Sequence, residues 1–420
     1  MRSLTFTRFK SLVLTVAVLS ATAGAQRLAT GDSRSINQPS YPAVCTTLSA
    51  QFTSAERSSP PTSDDTTRIQ NALTTCAGTG KSVVLAASGA NNAFYSDSIT
   101  VDSEGLVVNS GVTLYGNKGY AKQFQLVYAT GTNAFIGGPG TIDGRGDIVS
   151  GTPRLVEAEF LTNFTIYNIT LTQAKHPNLY IQSGNGATVW GVTIRTPADR
   201  KNADGIDIDS ITNVTVANSS VNAGDDGIAV KTNVAAASNI TVKNSKFYGT
   251  HGLSIGSQTM YGVTNVLFTG NYVYGVDLNG ITSTDPNGIR VKTDPVCGGP
   301  VSQVTYANTC LTDMKHLIVL DTAYGSCSGN PGVPVFSDIV VNGVKSVNSD
   351  TKNAYSRFRG YSANYDINAY VANIDLDTNK QNTDQDAIVS LDNVNGFLPS
   401  GPGVTTDAFN LSGSIPNCTF

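Results

Sequence analysis

Three carboxylates that recur at a regular spacing are the residues of this chain best suited to acid–base chemistry. Asp204 and Asp226 are 22 residues apart, each is followed by a glycine and a short stretch rich in β-branched residues, and Asp225 adds a third carboxylate. If the two stretches lie on neighbouring coils of a repeat, Asp204 and Asp226 stack about 4.8 Å apart. Because crowded carboxylates drive their pKa values apart, one could donate a proton and another accept one at the same pH.

Other reactive side chains follow in phase with this spacing. His251 precedes a glycine, Arg290 and Lys292 are two residues apart and so share one face of a strand, and Tyr324 offers a phenol. Taken singly, each has an ordinary structural interpretation, such as a turn, a core histidine or a polar strand face. Their joint occurrence favours a catalytic groove. Two further histidines lie outside the pattern and are interpreted as structural: His176 and His316.

A repeat of turn asparagines indicates the elements that position these residues. Asn213, Asn239 and Asn265 begin similar strands 26 residues apart, and Asn163 begins another that leaves room for one coil at residues 188–190. A coil of about 24–26 residues suits three short strands in a right-handed parallel β-helix. The fold predicted is therefore all-β, with asparagine side chains hydrogen-bonded along a column. A β-sandwich is the alternative, but sandwiches lack a fixed period of this kind.

The N-terminal segment predicts an exported protein, whose mature part forms one β-helix domain. Residues 1–25 read as a secretory signal peptide, with Arg2, Arg8 and Lys10 before a short apolar run and a small-residue cleavage site, so that the domain spans residues 26–420. The apolar run is too short to span a bilayer. Removing these three cations changes the formal charge from −4 to −7. We therefore expect a secreted, extracellular monomer that binds neither nucleic acid nor a membrane.

The region before the repeat predicts a cap for the core. Residues 26–61 read as an irregular lead-in, and Ser63 is a candidate N-cap for a helix over residues 64–76. Ile69, Ala72 and Leu73 lie on one face of that helix, which could cover the open end of the repeat.

The cysteine content predicts disulfide bonds. An even number of cysteines in an exported chain favours disulfides, and none is spaced as CxxC, so that a zinc site is not expected. Cys45 and Cys76 form the natural N-terminal pair. The other four leave three connectivities open: Cys297, Cys310, Cys327 and Cys418.

Seven N-x-S/T sequons occur, and the first five coincide with the repeat, which favours turn asparagines over glycan sites. They begin at Asn163, Asn168, Asn213, Asn218, Asn239, Asn410 and Asn417.

Four motifs in order resemble those of the polygalacturonases, glycoside hydrolase family 28. The family's Asn-Thr-Asp, Gly-Asp-Asp, Gly-His-Gly and Arg-x-Lys correspond here to residues 202–204, 224–226, 250–252 and 290–292. Ala203 and Thr250 depart from the family pattern, but both flank the reactive side chains. The resemblance implies a right-handed parallel β-helix that hydrolyses α-1,4-linked galacturonic acid in pectin with inversion, without a cofactor or metal.

The resemblance also implies a role for each motif residue. Asp225 resembles the general acid, Asp204 and Asp226 the pair that activates water across a wide carboxylate separation, and His251 a residue that tunes the acid. The residues implied to contact the substrate are Asn202, Arg290, Lys292 and Tyr324.

The alternatives to an endo-acting polygalacturonase differ in testable ways. No long insertion separates the motifs, which favours endo over exo action, since exo enzymes close one end of the groove with inserted segments. A pectate lyase would need Ca²⁺ and give an unsaturated product, and a non-catalytic polysaccharide-binding β-helix would release no reducing sugar. A rhamnogalacturonan hydrolase would lack the histidine motif. Beyond pectin, inhibitor proteins of the substrate's host are possible partners.

Overall fold

The computed structural model describes residues 28–325, 332–350 and 352–420, which form a right-handed parallel β-helix. The ladders between the named strands are parallel, and most strands pair with the strand one coil earlier and one coil later. The predicted all-β fold is confirmed. The division into a signal peptide and a mature domain stays a prediction, because residues 1–27 lie outside the described part of the chain.

The helix, the 3₁₀ turns and the strands of the first coils occupy the N-terminal part of the described chain. They are β1 (Val44–Ser49), a 3₁₀ turn (Ser54–Ser58), α1 (Thr66–Cys76), β2 (Ser82–Ala86), β3 (Ala93–Ser96), β4 (Ile99–Asp102), β5 (Gly105–Val108), β6 (Thr113–Gly116), a second 3₁₀ turn (Tyr120–Lys122), β7 (Gln125–Thr132), β8 (Phe135–Gly137), β9 (Thr141–Asp143), β10 (Arg154–Tyr167), β11 (Thr170–Thr172), β12 (Leu179–Trp190) and β13 (Thr193–Arg195).

The later coils continue the same arrangement to the C-terminus. Their strands are β14 (Ile206–Ala217), β15 (Ser220–Asn222), β16 (Ile228–Lys231), β17 (Ala237–Lys243), β18 (Lys246–Tyr248), β19 (Leu253–Ile255), β20 (Val263–Thr269), β21 (Tyr272–Tyr274), β22 (Asn287–Lys292), β23 (Pro300–Thr312), β24 (His316–Asp321), β25 (Val335–Val347), β26 (Tyr355–Arg359), β27 (Ile367–Asp375), β28 (Ala387–Asn395) and β29 (Val404–Ala408).

Stacked aliphatic side chains fill the interior. Ile206 pairs with Ile228, Ile228 with Leu253 and Leu253 with Ile289, and all four are fully buried. Since side chains alternate along a strand, the residues between these aliphatics face outward. One outer face of four successive coils is thereby made available to polar side chains.

The predicted asparagine column is confirmed. The side-chain amide of Asn265 donates to Asn239 Oδ1 at 2.8 Å, and that of Asn239 donates to Asn213 Oδ1 at 3.1 Å. All three adopt the left-handed backbone conformation, which asparagine tolerates better than most residues. The predicted coil at residues 188–190 is also present, since Thr188 pairs with both Thr165 and Thr215.

Replacing Asn239 by alanine tests the column. The variant loses two side-chain hydrogen bonds at roughly 1 kcal/mol each, so the free energy of unfolding should fall by about 2 kcal/mol beyond the backbone effect. Asn218→Ala is the matched control, because Asn218 has a similar φ of 52° but its side chain is exposed and outside the column. Denaturant titration measures both variants, and equal losses would contradict a stabilising role for the column.

Helix α1 covers the N-terminal end of the core, with Ile69 and Leu73 fully buried and Ala72 partly buried. The predicted start at Asp64 with Ser63 as cap is wrong, because the helix begins at Thr66 with Asp65 as N-cap. Asp65 is fixed to β3, where its backbone N–H donates to Tyr95 O at 2.7 Å and its carboxylate accepts from Tyr95 N at 3.0 Å. This pairing holds the preceding residues outside the helix.

The predicted irregular lead-in is an extended strap followed by strand β1. Within residues 28–42, Thr30 N–H donates to Asn265 Oδ1, Asp32 N–H to Thr241 Oγ1 and Ser33 Oγ–H to Asn213 Oδ1. The strap therefore crosses successive coils along the asparagine column.

Disulfides close both ends of the chain. The predicted bond between Cys45 and Cys76 is confirmed, and a second joins Cys310 to Cys418. Cys297 is also disulfide-bonded, and Cys327 lies outside the described residues. No helix among the described residues has both the length and the apolar character needed to cross a membrane.

Candidate active site

The predicted carboxylate stack is formed by turns that precede neighbouring strands. The register that pairs Ile206 with Ile228 places Asp204 beside Asp226, and Gly205 N–H donates to Asp226 O at 2.8 Å. A side chain at Gly205 would come within 2.5 Å of Gly227 O. The glycines that follow the aspartates are thus required for the close approach of these coils.

The three aspartates line one open cleft of about 340 Å³, and one oxygen from each lies within 4.8 Å of the others. Asp204 and Asp226 are buried, and Asp225 is partly exposed. This closest approach of single oxygens differs from the separation of whole carboxyl groups, which is roughly 6.5–9.5 Å in inverting glycosidases. The wide separation that the resemblance implies therefore stays a prediction.

Asp226 is held by groups on the two following coils. Its Oδ2 accepts from Lys292 Nζ at 2.7 Å, its Oδ1 accepts from Ser254 Oγ at 2.7 Å, and Arg290 Nη1 lies 3.8 Å from Oδ1. Charge-assisted hydrogen bonds of this kind stabilise the ionised form of a carboxylate. These contacts therefore fix the position of the Asp226 carboxylate in the site.

Asp225 and His251 form a second pair at the cleft. His251 Nδ1 lies 3.1 Å from Asp225 Oδ1, and His251 Nε2 lies 3.1 Å from Thr284 Oγ1. Burial alone would raise the pKa of Asp225, but the hydrogen bond and charge of His251, aided by Lys292, outweigh it and lower the pKa to about 2. Burial would lower the pKa of His251, but Asp225 outweighs it and raises that pKa above its usual 6.5. In the free protein the proton of this pair resides on the imidazole.

The predicted strand face of Arg290 and Lys292 is confirmed, and Tyr324 covers it. The Arg290 guanidinium and the Lys292 ammonium lie 4.7 and 5.0 Å from the centre of the Tyr324 ring. Lys292 and Tyr324 line the cleft, whereas Arg290 lies beneath the ring with Nε and Nη1 lacking hydrogen-bond partners among the described residues. Asn202 is exposed on the cleft lining.

Several lining residues were not singled out from the sequence. Lys231 lies at the end of β16 and contacts Asp204 and Asp207, and Tyr180 lies on β12, two coils earlier. The interpretation of His176 as unrelated to the site is wrong, because it lines the cleft with the aspartates. Side chains alternate along a strand, so the buried Ile228 could have predicted that Lys231 points outward, on the same face as the cleft. No sequence motif marks His176.

His316 has the structural environment expected of it. Its Nδ1 lies 3.1 Å from Oδ1 of both Asp285 and Asn287, and its ring packs on Tyr355.

One oxygen from each of the three aspartates is close enough to the others to share a cation, but two of the carboxylates are already paired with ammonium groups. Lys231 Nζ lies 3.2 Å from Asp204 Oδ2, and Lys292 Nζ lies 2.7 Å from Asp226 Oδ2. We assign no metal site to them, and the expectation of a metal-free enzyme stays a prediction.

Comparison with known proteins gives one consistent family. A family model described as glycosyl hydrolases family 28 matches residues 76–394. The chain is 33% identical to an endo-polygalacturonase of Pectobacterium parmentieri over 388 residues, covering 82% of this chain and 90% of that protein.

Solved structures agree with this assignment. The polygalacturonase from Erwinia carotovora ssp. carotovora is 30% identical, with a TM-score of 0.66 over 91% of this chain and 99% of that one. An exopolygalacturonase from Thermotoga maritima is 15% identical, with a TM-score of 0.68 over 92% of this chain, and so shares the fold. The chain is thus a glycoside hydrolase and belongs to glycosyl hydrolase family 28.

Proposed function

We propose that this enzyme is a secreted endo-polygalacturonase that hydrolyses the α-1,4 bonds of polygalacturonate, the acidic chain of pectin, with inversion of configuration. The observation that carries the proposal is the set of three carboxylates that line one open cleft with Lys292, with His251 in contact with Asp225. The names of the similar proteins support the same substrate.

The proposed mechanism divides the carboxylates by their partners. Asp225, which shares a proton with His251, protonates the glycosidic oxygen as the bond to the anomeric carbon breaks. Asp204 and Asp226 orient the attacking water and accept its proton, and Lys231 and Lys292 hold the two carboxylates in position. Inversion rests on the resemblance to the family, and not on the carboxylate separation. Proton NMR of the first product tests it, since inversion at an α-linkage yields the β-anomer.

Individual cations in the cleft account for the binding of a polyanion by an acidic protein. Arg154, Lys231 and Lys292 line the cleft, although the chain as a whole has a formal charge of −4. A neutral polysaccharide would not need cations in its binding cleft. These side chains provide the local attraction for galacturonate carboxylates.

An open groove supports endo action. Arg154 and His176 line both the main cleft and an adjoining cavity, which also includes Lys122 and the exposed Phe124. A chain could therefore extend beyond the aspartates toward the N-terminal coils.

Product sizes at early times test the mode of action. We expect polygalacturonate to give a mixture of long and short oligomers with a rapid fall in viscosity. Release of monomer or dimer alone would favour the exo alternative, and an unsaturated product would indicate a lyase.

Replacing Lys292 by alanine separates substrate binding from chemistry. Lys292 both lines the cleft and holds Asp226, so we expect a higher KM on polygalacturonate and a lower kcat on every substrate. On methyl-esterified pectin the KM penalty should shrink because the carboxylate charge is absent, whereas the kcat penalty should persist. Arg290→Lys should also lower activity, since an ammonium cannot reproduce the planar contact of the guanidinium with the Tyr324 ring. Steady-state kinetics on both substrates measure these effects. An equal rise in KM on polygalacturonate and on methyl-esterified pectin would contradict the binding of a substrate carboxylate by Lys292.

Export and cleavage near residue 25 form part of the proposal. N-terminal sequencing of protein recovered from the culture medium should begin near Gln26.

A further inference from the structure

A buried ion cluster lies directly behind Asp204. Lys231 Nζ is 2.9 Å from Asp207 Oδ2 and 3.2 Å from Asp204 Oδ2, so that one ammonium bridges two carboxyl groups. Asp207 is 1% exposed and lies on β14, and Lys231 lies opposite on β16. The cluster thus has two acidic groups and one cation.

The second oxygen of Asp207 has no donor. Asp207 Oδ1 is buried and lacks a hydrogen-bond partner among the described residues, although the side chain adjoins that of Asp204. An ionised oxygen in this position would be costly, and a proton shared with Asp204 would satisfy it. Burial first, and then the charge of Asp204, raise the pKa of Asp207 well above its ordinary value, against the opposing effect of Lys231.

We propose that Asp207 is a positioning residue that holds a proton hydrogen-bonded to Asp204, while Lys231 balances the charge of Asp204. The inference rests on the proposed function, because it concerns the group that supports Asp204 as a base in the proposed reaction. The proton stays on Asp207 throughout turnover and is not transferred to the substrate. The cluster then carries one positive and one negative charge.

Groups from the neighbouring coils do not supply an alternative counter-charge. Tyr180 on β12 donates its hydroxyl hydrogen to Asp209, at 2.5 Å, and not to Asp207. Burial lowers the pKa of His176, which keeps it neutral near pH 7. Asp225 and Asp226, on the turn before β16, add negative charge and therefore favour the protonated form of Asp207.

At low pH kcat falls because the catalytic base becomes protonated, so the position of the acid limb of the kcat–pH profile reports the ionisation of that base. In Asp207→Ala, Asp204 loses a hydrogen bond that favours its charged form, so the limb should move to higher pH by about one unit, a tenfold loss of kcat below it. Asp207→Asn should restore the limb toward the wild-type position, because its amide is a permanent neutral donor. Lys231→Met should move the limb upward at least as far, since the balancing charge is lost.

The matched control is Asp209→Asn on the same strand face. Asp209 is also buried, but its donors are Tyr180, Gln182 and Asn233. We expect a lower melting temperature and no shift of the acid limb. If Asp209→Asn moved the acid limb as far as Asp207→Ala does, any substitution of a buried residue on this strand face would affect the base, and the effect would not be specific to Asp207.

Two outcomes would overturn the proposal. If Asp207 were ionised, Asp207→Asn would remove a like charge and move the limb to lower pH. Equal shifts in the alanine and asparagine variants would mean that a donor at this position has no special effect.

Difference infrared spectroscopy gives a readout that needs no activity. The carbonyl band of a protonated carboxyl group should be present in the wild type at neutral pH and absent in Asp207→Asn. A missing band overturns the proposal even if Asp207→Ala does not fold. An inactive wild type would instead refute the proposed function, and the infrared result would still decide where the proton lies.

Discussion

Replacing Asp225 by asparagine is expected to remove nearly all turnover on polygalacturonate while the fold is retained. The variant keeps the size of the side chain, and its amide oxygen can still accept the hydrogen bond that Asp226 N–H donates to Asp225 Oδ1 at 2.8 Å. It can no longer carry a proton to the glycosidic oxygen, and a positioned acid contributes roughly 10²–10⁴-fold to the rate. Measurement of kcat and the melting temperature gives both parts of the result.

A carboxylate far from the cleft provides the comparison for this variant. Asp375 lies on β27 and pairs only weakly with Lys345 at 3.6 Å, and neither residue lines the cleft. Asp375→Asn should therefore retain wild-type kcat. If Asp225→Asn kept more than about a tenth of the wild-type kcat, its role as the proton donor would be wrong, since the expected loss is at least roughly 10²-fold.

The fold could be predicted because residues of the same type recur in the sequence at the spacing of one coil. Asn213, Asn239 and Asn265 recur at the spacing of one coil, and the register of β14, β17 and β20 follows that spacing. The relation between Asp204 and Asp226 is of the same kind, because a difference of 22 residues places both at the start of adjacent strands. Sequence spacing alone is enough to predict which residues are neighbours wherever consecutive coils have similar lengths.

The finer geometry of the site depends on contacts that sequence spacing does not encode. Coil length varies, so that Leu253 pairs with Ile289 after 36 residues, and the ammonium of Lys292 still reaches Asp226. The positions of the carboxylate oxygens depend on where such cations lie, which sequence spacing does not give. His176 enters the cleft from a turn without any repeat signature.

Replacing His251 by alanine is expected to lower kcat at neutral pH by roughly 10²-fold and to move the alkaline limb of its pH profile to lower pH. The last proton of the Asp225–His251 pair leaves at the raised pKa of His251, so the pair still holds a proton above pH 6.5. Without the imidazole, Asp225 alone must hold that proton. Burial favours the protonated form of Asp225, but Lys292 and the N–H of Asp226 favour the charged form, so that without the imidazole the carboxyl group loses its proton at a lower pH than the pair does.

The direction of the shift distinguishes this role from a purely structural one. A histidine that only supported the loop would lower kcat equally at all pH values and leave the limb in place. Thr284→Val is the matched control, because it removes the contact at Nε2 and leaves the 3.1 Å contact between His251 Nδ1 and Asp225 Oδ1 intact. The control should keep its alkaline limb above that of His251→Ala. An unshifted limb in His251→Ala would show that the proton delivered to the substrate never resided on the imidazole.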